Sequence, residues 1–237
     1  INYLTATGPF EFSSIQAAID KASAGDTIKV APGTYYEALM INKPLTVVST
    51  AGAATTIIHG GLTNPAIYVV TIRSSNVTFN GFTVMDPYYN SAGADLAGIM
   101  IGYYGDNALS NIRVTNNIVT QIGDPNRQVA TTSDYPSTGI CVNAVVDGLE
   151  IDHNTVFNIH QVALTTDNWG PVAIGYYGYG TTPLSQNVNI HDNTIYGLSA
   201  TGTYTQLSLG IAAGWGSGNA TIANNNIHDV AGRGIQA

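Results

Sequence analysis

The sequence predicts a right-handed parallel β-helix, an all-β solenoid closed at one end by a short capping helix. Three observations predict it. First, five segments echo one another: Asn76–Val84, Asn111–Val119, Leu149–Val156, Val188–Ile195 and Ala220–Ile227 share the pattern apolar-x-apolar-x-x-Asn-x-apolar. Their closing apolar residues, Val84, Val119, Val156, Ile195 and Ile227, recur 35, 37, 39 and 32 residues apart. Second, only 9% of residues are charged while 44% are hydrophobic. A chain so poor in charge and so rich in apolar side chains folds around a core rather than staying disordered. Third, helical periodicity is confined to one short segment near the N-terminus.

Each element follows from these patterns. A second column of runs, Gly98–Tyr104, Gly139–Ala144, Val172–Tyr177, Gly210–Trp215 and Gly234–Ala237, lies between the first ones. Each period therefore holds two β-type runs, a tight Asn turn and a long polar loop. Strands of four to six residues cannot bury a face alone, but they can when each pairs with its equivalent one coil away. Asn117, Asn154, Asn193 and Asn225 share one column and are read as a structural ladder, placed in the left-handed conformation that Asn tolerates and hydrogen-bonded from coil to coil. A leucine-rich repeat is excluded by its shorter period of about 20 to 29 residues, and a hairpin sandwich by the absence of two-residue turns.

The N-terminal region differs. Residues 13–24 read as the capping helix, with Ser13 or Ser14 as N-cap and Ile15, Ala18 and Ile19 as its apolar stripe. Residues 1–12 form an extension with strand character and residues 27–237 the coils, so that 1–237 is one domain of about six or seven coils.

Charge narrows the partners. The net charge is −8, from 15 acidic and 7 basic residues, with no Lys/Arg cluster. That excludes a nucleic-acid footprint and disfavours an anionic membrane surface. No apolar run is long enough to span a bilayer. The surface falls to Asn, Thr, Ser, Gly and Tyr, the habit of secreted or surface-displayed β-proteins, and the start at Ile1 suits a processed chain. Cys141, the one cysteine, sits in an apolar run and reads as a buried thiol.

The stretch Ser14–Ser49 followed by Thr56–Gly61 resembles the opening of pectin-lyase-like β-helix proteins, among them pectin methylesterases and the copper-centre maturation β-helix proteins. The resemblance implies the fold. It implies no catalytic residue. The Gln-Asp-Thr and Asp-Phe-Ile-Phe-Gly contexts of the esterases, the Asn-Thr-Asp and Gly-His-Gly motifs of polygalacturonases and the Asp-Pro-His motif of alginate-active relatives are all missing. Asp86-Pro87 and Asp124-Pro125 are followed by Tyr88 and Asn126. Arg113, measured against the pectate lyases' arginine and acidic cluster, is read as having no acidic strand neighbour.

Three side-chain groups are candidates for function. The long loops at residues 85–96, 121–137, 158–170 and 197–207 would bring Asp124, Arg127, Asp134, His160 and Asp167 together, a set that could hold Ca²⁺ and abstract a proton if the protein is a lyase. The alternative is ordinary solvated loop charge, with no cofactor or metal. Tyr103, Tyr104, Tyr176, Tyr177, Trp169 and Trp215 are candidates for glycan or subunit contact, against a self-packed aromatic ladder. Stacked coils would set Asp152 against His191 and His153 against Asp192, which reads as charge pairing rather than a metal site.

The last run, Gly234–Ala237, carries no cap in this sequence, and Ile1–Ala6 has the character of a strand that could add to a neighbour's edge. The expected function is therefore an extracellular structural or adhesive protein assembling as a homo-oligomer, filament or surface array. The alternative is a secreted polysaccharide lyase or a glycan-binding module.

Overall fold

A computed structural model describes residues 2–5, 9–60, 67–86, 96–123, 137–163, 170–178, 185–202, 208–214 and 218–237. Among these residues three sheets run along a solenoid of seven coils. Sheet A takes the first strand of each coil, at Thr27–Val30, Thr46–Ser49, Val77–Asn80, Leu109–Thr115, Val146–Asp152, Gln186–His191 and Ala220–Ala223. Sheet B takes the second, from Gly33–Tyr35 through Thr83–Met85, Ile118–Ile122, Thr155–Ala163 and Thr194–Gly202 to Asn226–Ile227. Sheet C takes the third, from Leu39–Ile41 through Ala97–Ile101, Thr138–Val142, Val172–Tyr176 and Leu209–Ala213 to Arg233–Gln236. Every coil-to-coil pairing is parallel.

Each coil thus has three strands where the sequence pattern suggested two runs. The first run is bent in two at its Asn turn. The residue that makes the bend is one position earlier than expected: Gly81, Asn116, His153, Asp192 and Asn224 adopt φ of 85°, 55°, 54°, 54° and 54°. Asn117, Asn154, Asn193 and Asn225 follow in ordinary backbone and point inward. Each Oδ1 accepts from the backbone N–H of the residue one coil earlier, at 3.0 Å for the pairs Phe82–Asn117, Asn117–Asn154, Asn154–Asn193 and Asn193–Asn225. Each of the first three also donates Nδ2 to the next Oδ1, at 3.1, 3.1 and 2.9 Å. Phe82 holds the ladder position in the preceding coil and stacks on Phe79 at 4.7 Å between centroids.

Inside, equivalent side chains stack in columns. Val47, Phe79, Val114, Ile151 and Ile190 line sheet A; Ile58, Val84, Val119, Val156 and Ile195 line sheet B; Val70, Ile99, Ile140, Ile174 and Ile211 line sheet C. Full burial of each such side chain contributes about 1.5–3 kcal/mol.

The helix spans Ile15–Lys21 and buries Ile15, Ala18 and Ile19 against this core. Ser14 is the N-cap and accepts from Ala17 N at 3.2 Å. The Glu37 carboxylate adds a second cap by accepting from the N–H groups of Ile15 and Gln16, both at 2.9 Å. Lys43 donates to the carbonyls of Asp20 and Ala22 at the other end, where positive charge suits the helix dipole. The N-terminal extension pairs within its own chain: Asn2–Thr5 runs antiparallel to both Pro9–Phe12 and Thr27–Val30. That corrects the expectation of strand addition to a neighbour, because its edge is already taken. Among the described residues no helix is long and apolar enough to cross a membrane.

Candidate functional site

On the outer face of sheet A two columns run side by side. Thr78, Arg113, Glu150, Asn189 and Thr221 form one; Asn80, Thr115, Asp152, His191 and Ala223 form the other. Strand alternation points both columns outward while Ile112, Val114, Leu149 and Ile151 point in. Polar side chains at this face are therefore brought together by coil stacking, not by proximity in the chain.

The contacts run diagonally between the columns. Arg113 donates Nε and a terminal nitrogen to the two Asp152 oxygens at 2.9 and 3.0 Å. Asp152 also accepts from Thr115 Oγ1 at 2.7 Å and meets His153 Nδ1 at 2.8 Å. Its side chain is fully buried, while Arg113 remains 54% exposed. Burial works to raise the Asp152 pKa, but the hydrogen bonds from Arg113, Thr115 and His153 outweigh it and hold the carboxyl at about 2. One coil on, Glu150 receives Asn189 Nδ2 on Oε1 at 2.9 Å and faces His191 Nε2 with Oε2 at 3.0 Å. His191 Nδ1 lies 2.7 Å from Asp192. Hydrogen bonding to Asp192, aided by Glu150 and opposed by partial burial, raises the His191 pKa above the ordinary imidazole value.

The face thus offers an exposed guanidinium, pinned flat by a buried carboxylate, and an imidazole held between two acids. Their strands stand two coils apart, roughly 10 Å by the spacing of paired strands, and both side chains reach toward the coil between, where Asp152 and Glu150 sit. One oxygen or nitrogen from each of Glu150, Asp152 and His191 lies within 4.8 Å of the others. A Ca²⁺ ion does not fit this set. The Asp152 oxygens are already engaged by Arg113, Thr115 and His153, and the remainder is one carboxylate and one imidazole, whereas Ca²⁺ takes six to eight oxygens.

No protein-family model and no curated relative matches the sequence. Solved structures do match. A pectin methylesterase in complex with a hexasaccharide superposes with a TM-score of 0.50 at 10% identity, covering 91% of this chain and 75% of that one. Aspergillus niger pectin methylesterase gives 0.45 at 14% identity over 95% and 86% of the two chains. The carrot enzyme gives 0.42 at 12% over 96% and 85%. The chain has the pectin-lyase-like β-helix fold. At these identities the likeness is one of fold alone.

This β-helix redistributes the sequence-based candidates. Asp124, Arg127, Asp134, Asp167, Trp169 and Trp215 lie outside the described residues. His160 is on the sheet B strand Thr155–Ala163 rather than in a loop, and is buried. Tyr176 is in the core and Tyr177 is buried, so neither is a surface contact. The reason is register. Ile101 pairs with Val142 and Val142 with Tyr176, so the copied Ile-Gly-Tyr-Tyr-Gly motifs are offset by two residues. Tyr103 lies beneath Arg73, whose guanidinium carbon is 4.6 Å from the ring centroid and which is also paired with Asp106. Tyr104 is 77% exposed.

The reading of Arg113 needs correction: its strand neighbour is Glu150 and its ion-pair partner Asp152. The signal was present, since aligning Asn111–Val119 with Leu149–Val156 puts Arg113 over Glu150 and Thr115 over Asp152. No single strand carries it, because the arginine and the acids lie on neighbouring coils. Asp152 and His191 are in register as expected, but they do not bond to each other: Asp152 bonds Arg113, Thr115 and His153, and His191 bonds Asp192 and Glu150.

Proposed function

We propose that the protein is an extracellular carbohydrate-active β-helix that cleaves a uronate-bearing polysaccharide by β-elimination on the outer face of sheet A. The observation that carries this reading is the pairing, on one face, of a pinned and half-exposed Arg113 with a His191 held between Glu150 and Asp192. Asp152 occupies two of the Arg113 donors and leaves the others for a uronate carboxylate, where a fixed guanidinium stabilises the enolate charge that develops. Neutral His191 takes the proton α to that carboxylate. The breaking C–H bond supplies the electrons of the new C=C bond, and the departing sugar oxygen takes a proton from water. Asp192 accepts the Nδ1 hydrogen, and the substrate displaces Glu150 from Nε2, the nitrogen that takes the proton.

This face supports a catalytic role more directly than the structural, self-assembling role expected from the uncapped last run and the strand-like N-terminal segment. The test is incubation with a panel of polyuronates, with and without Ca²⁺, following the ultraviolet absorbance of the unsaturated product. Product from at least one polymer is expected, reduced by about 10²-fold or more in His191→Ala and Arg113→Ala. Wild-type protein that stays folded and releases none from any polymer would overturn the assignment.

A further inference from the structure

A second polar group stands on sheet B, away from the sheet A face. His160 and Ser199 are register partners on Thr155–Ala163 and Thr194–Gly202. His160 Nδ1 lies 2.9 Å from Ser199 Oγ, and Nε2 lies 3.0 Å from Thr201 Oγ1. The imidazole is only 7% exposed, whereas Ser199 and Thr201 are exposed. We propose that Ser199 and His160 form a nucleophile–base pair that accepts the acyl group of an ester.

Three features carry the proposal. The tautomer with hydrogen on Nε2 donates to Thr201 and turns the Nδ1 lone pair to the Ser199 hydroxyl, which is the arrangement a general base needs. The base is shielded while the nucleophile meets solvent, so an ester reaches the hydroxyl without the ring having to move. Beyond Leu198, which bridges Val230, Ser199–Gly202 has a partner strand on one side only among the described residues. Such an edge presents backbone N–H groups of the kind that bind an oxyanion.

The step balances without a co-reactant. Ser199 Oγ forms a bond to the carbonyl carbon as its proton passes to His160 Nδ1. The C–O bond to the alcohol breaks and that oxygen takes the proton. Water, deprotonated by the same nitrogen, then releases the acid and restores the serine.

The test uses the whole chain and a serine-directed fluorophosphonate, with no polysaccharide present, so its outcome is separate from that of the sheet A reading. Peptide mass mapping is expected to find the adduct on Ser199. Labelling should be abolished in Ser199→Ala and at least about tenfold slower in His160→Gln. Thr201→Val, at an exposed position, should slow it several-fold without lowering the thermal midpoint, and serves where the His160 variant fails to fold. No adduct on folded wild-type protein, an adduct elsewhere, or an unchanged rate in folded His160→Gln or Thr201→Val would overturn the proposal.

Discussion

Asp152 shows how one buried carboxylate ties stability to pH. Its folded pKa of about 2 lies below the ordinary 3.8. A depressed carboxylate contributes stability that is complete above the unfolded value and is lost as pH falls toward the folded one. Urea unfolding should therefore lose about 2 kcal/mol between pH 4 and pH 2, and Asp152→Asn should be less stable at pH 7 and largely lack that segment of the curve. His191 has the opposite sign. Its raised pKa means that the neutral, proton-accepting form appears only above the usual imidazole range. Cleavage measured against pH should rise through a midpoint above 6.5, and Asp192→Asn should move that midpoint down. These residues were legible in the sequence only as members of aligned coils. Arg113 lies 39 residues from the acid that pins it, a separation that no local pattern reports, whereas overlaying the repeats brings the two within one diagonal.

At the scale of elements, local chemistry dictated more. The helix was legible because its cap, stripe and stop are contiguous. Glu37 was not, since it reaches the helix from 22 residues away. The Asn column was visible, but its geometry was displaced by one position. The left-handed bend falls to whichever of Gly, Asn, His or Asp comes before, and the ladder residue is free to point inward. Asn154 accepts from Asn117 through both backbone and side chain, and donates to the Val114 carbonyl and to Asn193. Asn154→Ala leaves several buried groups without partners. A loss of about 3 kcal/mol or more is expected by denaturant titration, at an unpartnered-group cost of about 1–3 kcal/mol each. Exposed Asn116→Ala should instead act through backbone strain and cost less, about 1 kcal/mol. The tyrosine motifs mark where pattern matching failed. Two identical strings lie two residues out of register because stacking follows the inward apolar columns, not the likeness of turns.

For the molecule as a whole, a net charge of −8 sets the long-range field. A polyuronate approaching sheet A meets repulsion beyond the reach of Arg113, and salt screens that repulsion over a Debye length of about 10 Å at 0.1 M. The association rate measured by stopped flow should accordingly rise with salt from low ionic strength, the reverse of a protein that binds a polyanion through a basic patch. The Asn ladder has a further meaning at this scale. From Asn117 through Asn193, each side-chain oxygen accepts from the coil before, while Nδ2 donates both to the next Asn oxygen and back to a carbonyl of the coil before, so only the amide-to-amide links share one direction. The row of those links therefore has a head and a tail, and their dipoles add as vectors along the solenoid axis. Two such rows reinforce each other only when they point the same way, so a β-helix that continued this one coil upon coil would be electrostatically sorted into head-to-tail order before any side chain at the junction made contact.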